Sequence, residues 1–119
     1  MSTGPEELRE RTKAFAIRIV RMYRSLPRSP DARVLGKQLL RCGTSVAANY
    51  RAACRARSRQ EWISKIGIVV EEADETIFWL EMLQDCGIVT EKKLAEILKE
   101  SHELCAIFTA ARRTAKQLN

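Results

Sequence analysis

Arginine clusters are the part of this sequence whose side chains have the clearest chemistry. Arg51, Arg55, Arg57 and Arg59 lie close together in the chain, and Glu61 is the nearest acid. The planar guanidinium group binds phosphate and carboxylate through paired hydrogen bonds. No aromatic residue lies among these arginines to stack on bases, so they would contact the backbone of a nucleic acid without reading its sequence.

Further arginines occupy one sector of the first predicted helix, away from its apolar side: Arg11, Arg18, Arg21, Arg24 and Arg28. They would extend the same basic surface toward a nucleic acid. A second hypothesis is that the arginines pair with the acidic third helix of a neighbouring subunit. The charges would then serve a structural or adaptor oligomer that binds no nucleic acid.

The charge of the chain is unevenly distributed. The formal net charge is +6 and the pI is about 9.5. Residues 1–60 carry 14 Lys or Arg against 4 Asp or Glu, whereas residues 61–119 carry 7 against 11. A basic face of this kind recruits polyanions by counterion release, docks on an acidic face of another copy, or is simply solvated.

Acidic residues of the third predicted helix raise the question of a metal site: Glu71, Glu72, Asp74 and Glu75. The first two helices supply no inward acid to complete a metal cage, and Lys99 precedes His102 where a Glu-x-x-His pair needs an acid. We therefore expect a solvated or interface-facing strip. Within it, Asp74 and Glu75 should lie nearest the packed side and require arginine partners if they are buried.

Patterns typical of catalysis are absent from the sequence. His102 is the only imidazole and falls on the polar side of the fourth predicted helix, so no base accompanies a nucleophile. No glycine-rich phosphate loop occurs. We expect a protein that is not an enzyme and that holds no metal and no cofactor.

The four cysteines show no Cys-x-x-Cys spacing, and the sequence begins without a basic-then-apolar signal segment. We expect a cytoplasmic protein, not bound to membranes, whose cysteines remain thiols. Cys42, Cys86 and Cys105 have apolar neighbours and are expected in the core.

Apolar residues recur at steps of three and four along the chain, which predicts helices. The first helix runs from Pro5 to about Leu26. The second runs from Pro30, with Ser29 as its N-cap, to about Arg55. Because the apolar rhythm passes through Gly43 unchanged, we predict one continuous helix there. The alternative is a helix-turn-helix with Gly43 in the turn and a basic recognition helix after it.

Capping signals mark the last two helices. Ser58 and Glu61 form a capping box at the start of the third helix, and Gly87 is its left-handed stop. Thr90 is the N-cap of the fourth helix, whose predicted inward positions extend as far as Leu118. Four long helices with short connections predict one all-α domain over residues 1–119, an antiparallel up-down-up-down four-helix bundle.

The third helix carries a second apolar stripe outside its inward one: Ile63, Val70, Phe78, Trp79 and Met82. Such a stripe indicates either a wide core or a subunit interface. For the interface hypothesis, the predicted residues are Ile63, Phe78 and Trp79 with the acids Glu72 and Glu75.

The stretch from Leu39 to Ala53, followed by Arg57-Ser-Arg-Gln-Glu61-Trp62, resembles a family of four-helix bundles encoded in intervening sequences of bacterial large-subunit (23S) ribosomal RNA genes. The residues that match the pattern of that family are Ser45, Asn49, Arg57, Ser58 and Glu61. Ala47 stands where the family has proline, and Ala52-Ala53 replaces its Glu-Gly pair.

The resemblance implies an assembly that composition and periodicity do not. Members of the family form a homopentameric ring, and most have no assigned activity. The family also includes the accessory protein of diversity-generating retroelements, which binds nucleic acid and a reverse transcriptase. The resemblance thus implies RNA or DNA, and a reverse transcriptase, as partners.

Overall fold

Four helices form the protein in the computed structural model, which describes residues 4–118. They are α1 (Pro5–Ser25), α2 (Pro30–Ala53), α3 (Arg59–Asp85) and α4 (Glu91–Gln117). No strand occurs within the described range, so the predicted all-α class is confirmed. The predicted helix ends are met to within one or two residues. None of these four helices has an apolar stretch long enough to cross a membrane.

Side chains cap the start of α3 and of α4 as predicted. Ser58 Oγ accepts a hydrogen bond from the backbone N–H of Glu61 at 3.0 Å. Thr90 Oγ1 accepts one from the backbone N–H of Lys93 at 3.3 Å. The second half of the predicted capping box does not form, because the Glu61 carboxylate lies against Arg57 Nε at 3.6 Å instead.

Backbone geometry sets the start of α2 and the end of α3. Ser29 holds the N-cap position of α2 in an extended conformation, but its side chain makes no capping bond, and Pro30 begins the helix. After α3, Gly87 adopts a φ of 72°, the left-handed conformation that favours glycine. The N–H of Ile88 then donates to the carbonyl of Leu83 at 2.9 Å, closing the helix as predicted.

Helix α2 passes through Gly43 without interruption, so the helix-turn-helix alternative is wrong for this protein. Gly43 serves packing rather than turning. A Cβ atom at this position would lie 2.8 Å from Ile19 Cγ1, which is closer than real Cβ contacts. The missing side chain therefore lets α1 and α2 approach closely.

Each helix packs mainly against the helices next to it in the sequence. Helix α2 lies against α1 and α3, α3 also lies against α4, and the seam between α1 and α4 is by far the thinnest. Along the α1–α2 pair, Gly36 lies against Leu26 while Gly43 lies against Ile19. Residues early in α2 therefore meet residues late in α1.

Aromatic side chains fill the centre of the core. Tyr50 and Phe108 are 1% and 0% exposed, and their ring centroids lie 5.0 Å apart. Trp62, partly buried, meets the Tyr50 ring edge-on at 6.3 Å. Burial is the main cause that raises the pKa of the Tyr50 hydroxyl above its usual value, so this residue stays neutral.

Two of the predicted core positions are wrong. Cys86 is exposed because it caps the end of α3 immediately before the Gly87 turn. Leu118 is 56% exposed because it lies past the last turn of α4. The prediction holds better for the other thiols: Cys42 is buried and Cys105 partly buried, and all four cysteines are unpaired.

Candidate nucleic-acid interface

A cavity of about 620 Å³ opens between the first half of α1 and the second half of α2. Its lining contains two cations from α1, Arg9 and Lys13, one from α2, Arg51, and one from the turn after α2, Arg55. One acid, Glu10, is also in the lining. The remainder consists of small side chains: Thr44, Ala47, Ala48 and Cys54. We call this cavity with its four cations the basic groove.

The four cations of the basic groove are exposed and have no acid bound to them. Among residues 4–118, none of the four has a carboxylate within ion-pair distance. Arg9 and Lys13 are four residues apart on α1, which places them on the same side of that helix, one turn apart. Arg55 lies in the turn that follows α2, close in sequence to Arg51 in its last helical turn. The groove thus has two positively charged walls.

Arg11, two residues after Arg9, is placed quite differently. Its Nε donates to Glu100 Oε2 at 2.8 Å, and its Nη2 donates to Glu100 Oε1 at 2.6 Å and to Glu103 Oε1 at 2.8 Å. The bond with Glu100 is the largest cause that raises the pKa of this guanidinium. Arg11, predicted for nucleic acid, instead joins α1 to α4.

The other predicted arginines of α1 differ in their exposure and in their neighbours. Arg18 is partly buried and lines a cleft that also contains Glu96, Lys99, Glu100 and Glu103. Arg21, Arg24 and Arg28 are exposed, and the cleft that Arg24 and Arg28 line contains no acid in the described part of the chain.

The predicted arginine cluster at the α2–α3 junction also has members in two different surroundings. Arg51 and Arg55 belong to the basic groove, whereas Arg57 and Arg59 lie beyond it. The Arg57 side chain is 90% exposed and lies 3.6 Å from Glu61. Arg59 Nη1 donates to the backbone carbonyl of Leu118, which leaves most of its donors free.

The acidic strip of α3 is partly neutralised from within the chain. Arg41 of α2 lies 3.4 Å from Glu72 Oε1 and donates to Glu75 as well. Trp79 Nε1 donates to Glu75 Oε2 at 3.0 Å. The expected arginine contact of Glu75 is present. The expectation that Asp74 lies near the packed side is wrong, because Asp74 is exposed and Glu72 is partly buried in its place.

Of the second apolar stripe on α3, most members are partly buried. Val70 and Trp79 pack against the core, which agrees with a wide core. Phe78 is the exception at 49% exposed, with its ring edge-on to Trp79 at 4.8 Å. Ile63 is also partly buried. Phe78 is therefore the residue of this stripe most available to a partner.

His102 and the candidate metal ligands do not form a metal site in the described residues. His102 is exposed on α4, as predicted. No group of three His, Cys, Asp or Glu side chains over residues 4–118 is arranged to hold a metal ion.

Arg9, Lys13 and Arg41 are the residues that sequence reasoning missed. Arg9 and Lys13 lie outside the arginine sector of α1, and the periodicity of one helix does not tell which residues of another lie opposite. A signal did exist. The short connection between Ser25 and Pro30 places the start of α1 beside the end of α2, where Arg51 and Arg55 lie.

Comparison with known proteins identifies similar chains. The family model of 23S rRNA-intervening sequence proteins matches residues 7–110. A crystal structure from Bacteroides thetaiotaomicron, described as a protein with unknown function from the S23 ribosomal protein family, is 34% identical. The similarity covers 92% of this chain and 97% of that one, with a TM-score of 0.85. No curated protein matches the chain.

Proposed function

The chain belongs to the family of 23S rRNA-intervening sequence proteins, and we propose that it is a non-enzymatic oligomer that binds the backbone of RNA or DNA. Arg51, Arg55, Arg57 and Arg59 supply phosphate contacts, helped by Arg18 and Arg21 on α1. Arg11 contributes only through donors that Glu100 and Glu103 leave free.

One observation carries this proposal. Arginines on other faces, Arg11 and Arg41, are bound to carboxylates of the same chain. The arginines at the end of α2 have few or no acids beside them. A cluster of free guanidinium groups is electrostatically costly unless it meets anions, and phosphates satisfy both its charge and its donors.

The proposal includes an antiparallel up-down-up-down bundle that assembles as a pentameric ring. The opposite progression of contacts along α1 and α2 supports the antiparallel order. For the ring, Phe78, Trp79 and Ile63 form the subunit interface. Glu72 and Glu75, also predicted there, would meet the neighbour with Arg41 already balancing their charge.

The proposed setting is the cytoplasm, with no membrane partner. Because the resemblance implies a family that includes the accessory protein of diversity-generating retroelements, the proposal extends to a reverse transcriptase as a protein partner. Family membership equally supports a role linked to ribosomal RNA intervening sequences.

Charge reversal tests the proposed binding. Arg55→Glu combined with Arg59→Glu should weaken binding to a labelled single-stranded RNA by at least about tenfold and flatten its salt dependence. The measurement is fluorescence anisotropy over a range of salt concentrations. The matched control is Lys92→Glu with Lys93→Glu, which changes the net charge equally at exposed positions on α4. Equal affinity of both variants and the wild type would refute the proposal.

A structural or adaptor oligomer is the second candidate, and the exposed Phe78 beside Trp79 favours it. Paired aromatic residues at a surface are typical of protein interfaces. This candidate expects the same arginine reversals to dissociate the oligomer while RNA fails to bind the wild type at physiological salt. Light scattering of the wild type and of the double variant, with and without RNA, separates the two candidates.

A further inference from the structure

The basic groove is more specific than a positively charged patch, because its cations stand on two facing walls. Arg9 and Lys13 form one wall on α1, and Arg51 and Arg55 form the other, at the end of α2 and in the turn after it. On α1, a step of four residues separates the two cations by about 6 Å along the helix axis. That separation is comparable with the distance between successive phosphates of an extended nucleic-acid strand.

The lining between the walls suits the rest of such a strand. Thr44, Ala47, Ala48 and Cys54 are small and leave the space open. A volume of about 620 Å³ accommodates a sugar-phosphate segment and is far too small for a double helix. A duplex is a rigid cylinder whose phosphates could reach only the rim of a groove between two adjacent helices.

We infer that the basic groove binds a single strand of RNA or DNA by clamping successive phosphates between Arg9 and Lys13 of α1 and Arg51 and Arg55 at the end of α2 and in the turn after it. This inference rests on the proposed function and narrows it to one site and one class of nucleic acid. The bases point away from the groove, because its lining contains no aromatic ring on which they could stack.

The site differs from the sequence-based prediction in two ways. It includes Arg9 and Lys13, which the arginine pattern did not select. It also gives Arg57 and Arg59 a secondary role, since they lie outside the cavity. The groove then distinguishes nucleic acids by their flexibility: an unpaired strand follows the groove, and a paired strand does not.

The main test is a matched pair of fourfold neutralisations of the full chain. The groove variant is Arg9→Gln, Lys13→Gln, Arg51→Gln and Arg55→Gln. The control variant, with the same change of net charge at exposed positions outside the groove, is Arg33→Gln, Lys37→Gln, Lys92→Gln and Lys93→Gln. The probe is a labelled oligouridylate, with a blunt RNA duplex of equal length as the second ligand, and the readout is anisotropy.

The groove variant should bind the oligouridylate about a hundredfold more weakly, with a salt slope smaller by about 3, while the control variant loses no more than a few fold. The wild type should prefer the oligouridylate to the duplex. Equal losses in the two variants, or equal binding of the duplex, would overturn the groove assignment and leave nucleic-acid binding itself intact. Failure of the wild type to bind either ligand would instead overturn the proposed function.

A second variant tests the groove without changing any charge. Ala48→Trp places a large side chain in the lining of the groove, and Ala106→Trp places the same side chain on the exposed face of α4. The groove assignment expects only Ala48→Trp to weaken oligouridylate binding. Unchanged affinity in Ala48→Trp, with the helical circular dichroism of the wild type, contradicts it.

Discussion

Arg9 and Arg11 are separated by one residue and have opposite surroundings. Arg9 faces α2, in a groove with other cations, and binds no acid over residues 4–118. Arg11 faces α4, where Glu100 and Glu103 occupy its donors. The difference teaches that on this bundle the neighbouring helix decides whether an arginine holds the fold together or remains available to a ligand.

The largest expected effect comes from removing the paired arginine. Arg11→Met leaves the partly buried carboxylate of Glu100 without its cation and should lower the free energy of unfolding by about 2 kcal/mol. Arg9→Met, the matched control, should change it by no more than about 0.5 kcal/mol. Urea denaturation followed by circular dichroism measures both. Similar losses for the two variants would mean that the two arginines do not differ as described.

Thiol labelling tests whether a ligand occupies the basic groove. Cys54 lies in the basic groove, whereas Cys86 is exposed at the far end of α3. A single-stranded oligonucleotide at ten times its Kd should slow alkylation of Cys54 about tenfold. Labelling of Cys86 should be unaffected, as measured by mass spectrometry of the modified peptides. Equal protection of both thiols contradicts a localised site.

Cys42 provides an internal standard for that measurement. Its burial raises the pKa of the thiol, so less thiolate is present at neutral pH, and the fold also blocks access. We expect Cys42 to react only when the protein unfolds. Rapid labelling of Cys42 under native conditions would show that the interface between α2 and α3 opens.

A smaller effect is expected at the second paired arginine. Arg41 is 48% exposed, so solvent screens its attraction to Glu72 and Glu75. A double-mutant cycle with Arg41→Met and Glu75→Gln should give a coupling energy of no more than about 1 kcal/mol. The measurement is urea denaturation of the wild type and three variants. A larger coupling would place Arg41 with Arg11 as a structural residue.

The smallest effect concerns the pH dependence of α2. The hydrogen bond from Ser29 is the largest cause that lowers the pKa of the exposed Asp31 carboxyl. A carboxyl whose pKa is lower in the folded state stabilises the protein above its unfolded pKa, and this contribution disappears as the pH falls through the folded value. Asp31→Asn should therefore reduce stability slightly at neutral pH and leave it unchanged in acid. Thermal denaturation at both pH values tests this.

The helices and their caps could be predicted because the signals are local. The apolar rhythm and the Ser58 and Thr90 caps involve residues within one or two turns of each other. The ion pairs could not be predicted in this way. Arg11 and Glu100 are 89 residues apart, and their meeting depends on how α1 is rotated against α4.

Only half of the candidate site could be predicted from the sequence, for the same reason. Arg51 and Arg55 stood out through their crowding in the sequence, while Arg9 and Lys13 are ordinary charged positions of a surface helix. Only the register of α1 against α2, set by the close contact of Gly43 with Ile19, brings them opposite each other.

The thin seam between α1 and α4 has a consequence for motion. Helix α1 is held mainly by α2, with Arg11 as its chief polar link to α4, so it has less to lose on detaching than α3, which packs against both α2 and α4. Local opening of a protein begins where the fewest contacts must break. Backbone amides of α1 should therefore exchange with solvent deuterium before those of α3, and a bound strand gripping both α1 and α2 would slow that exchange.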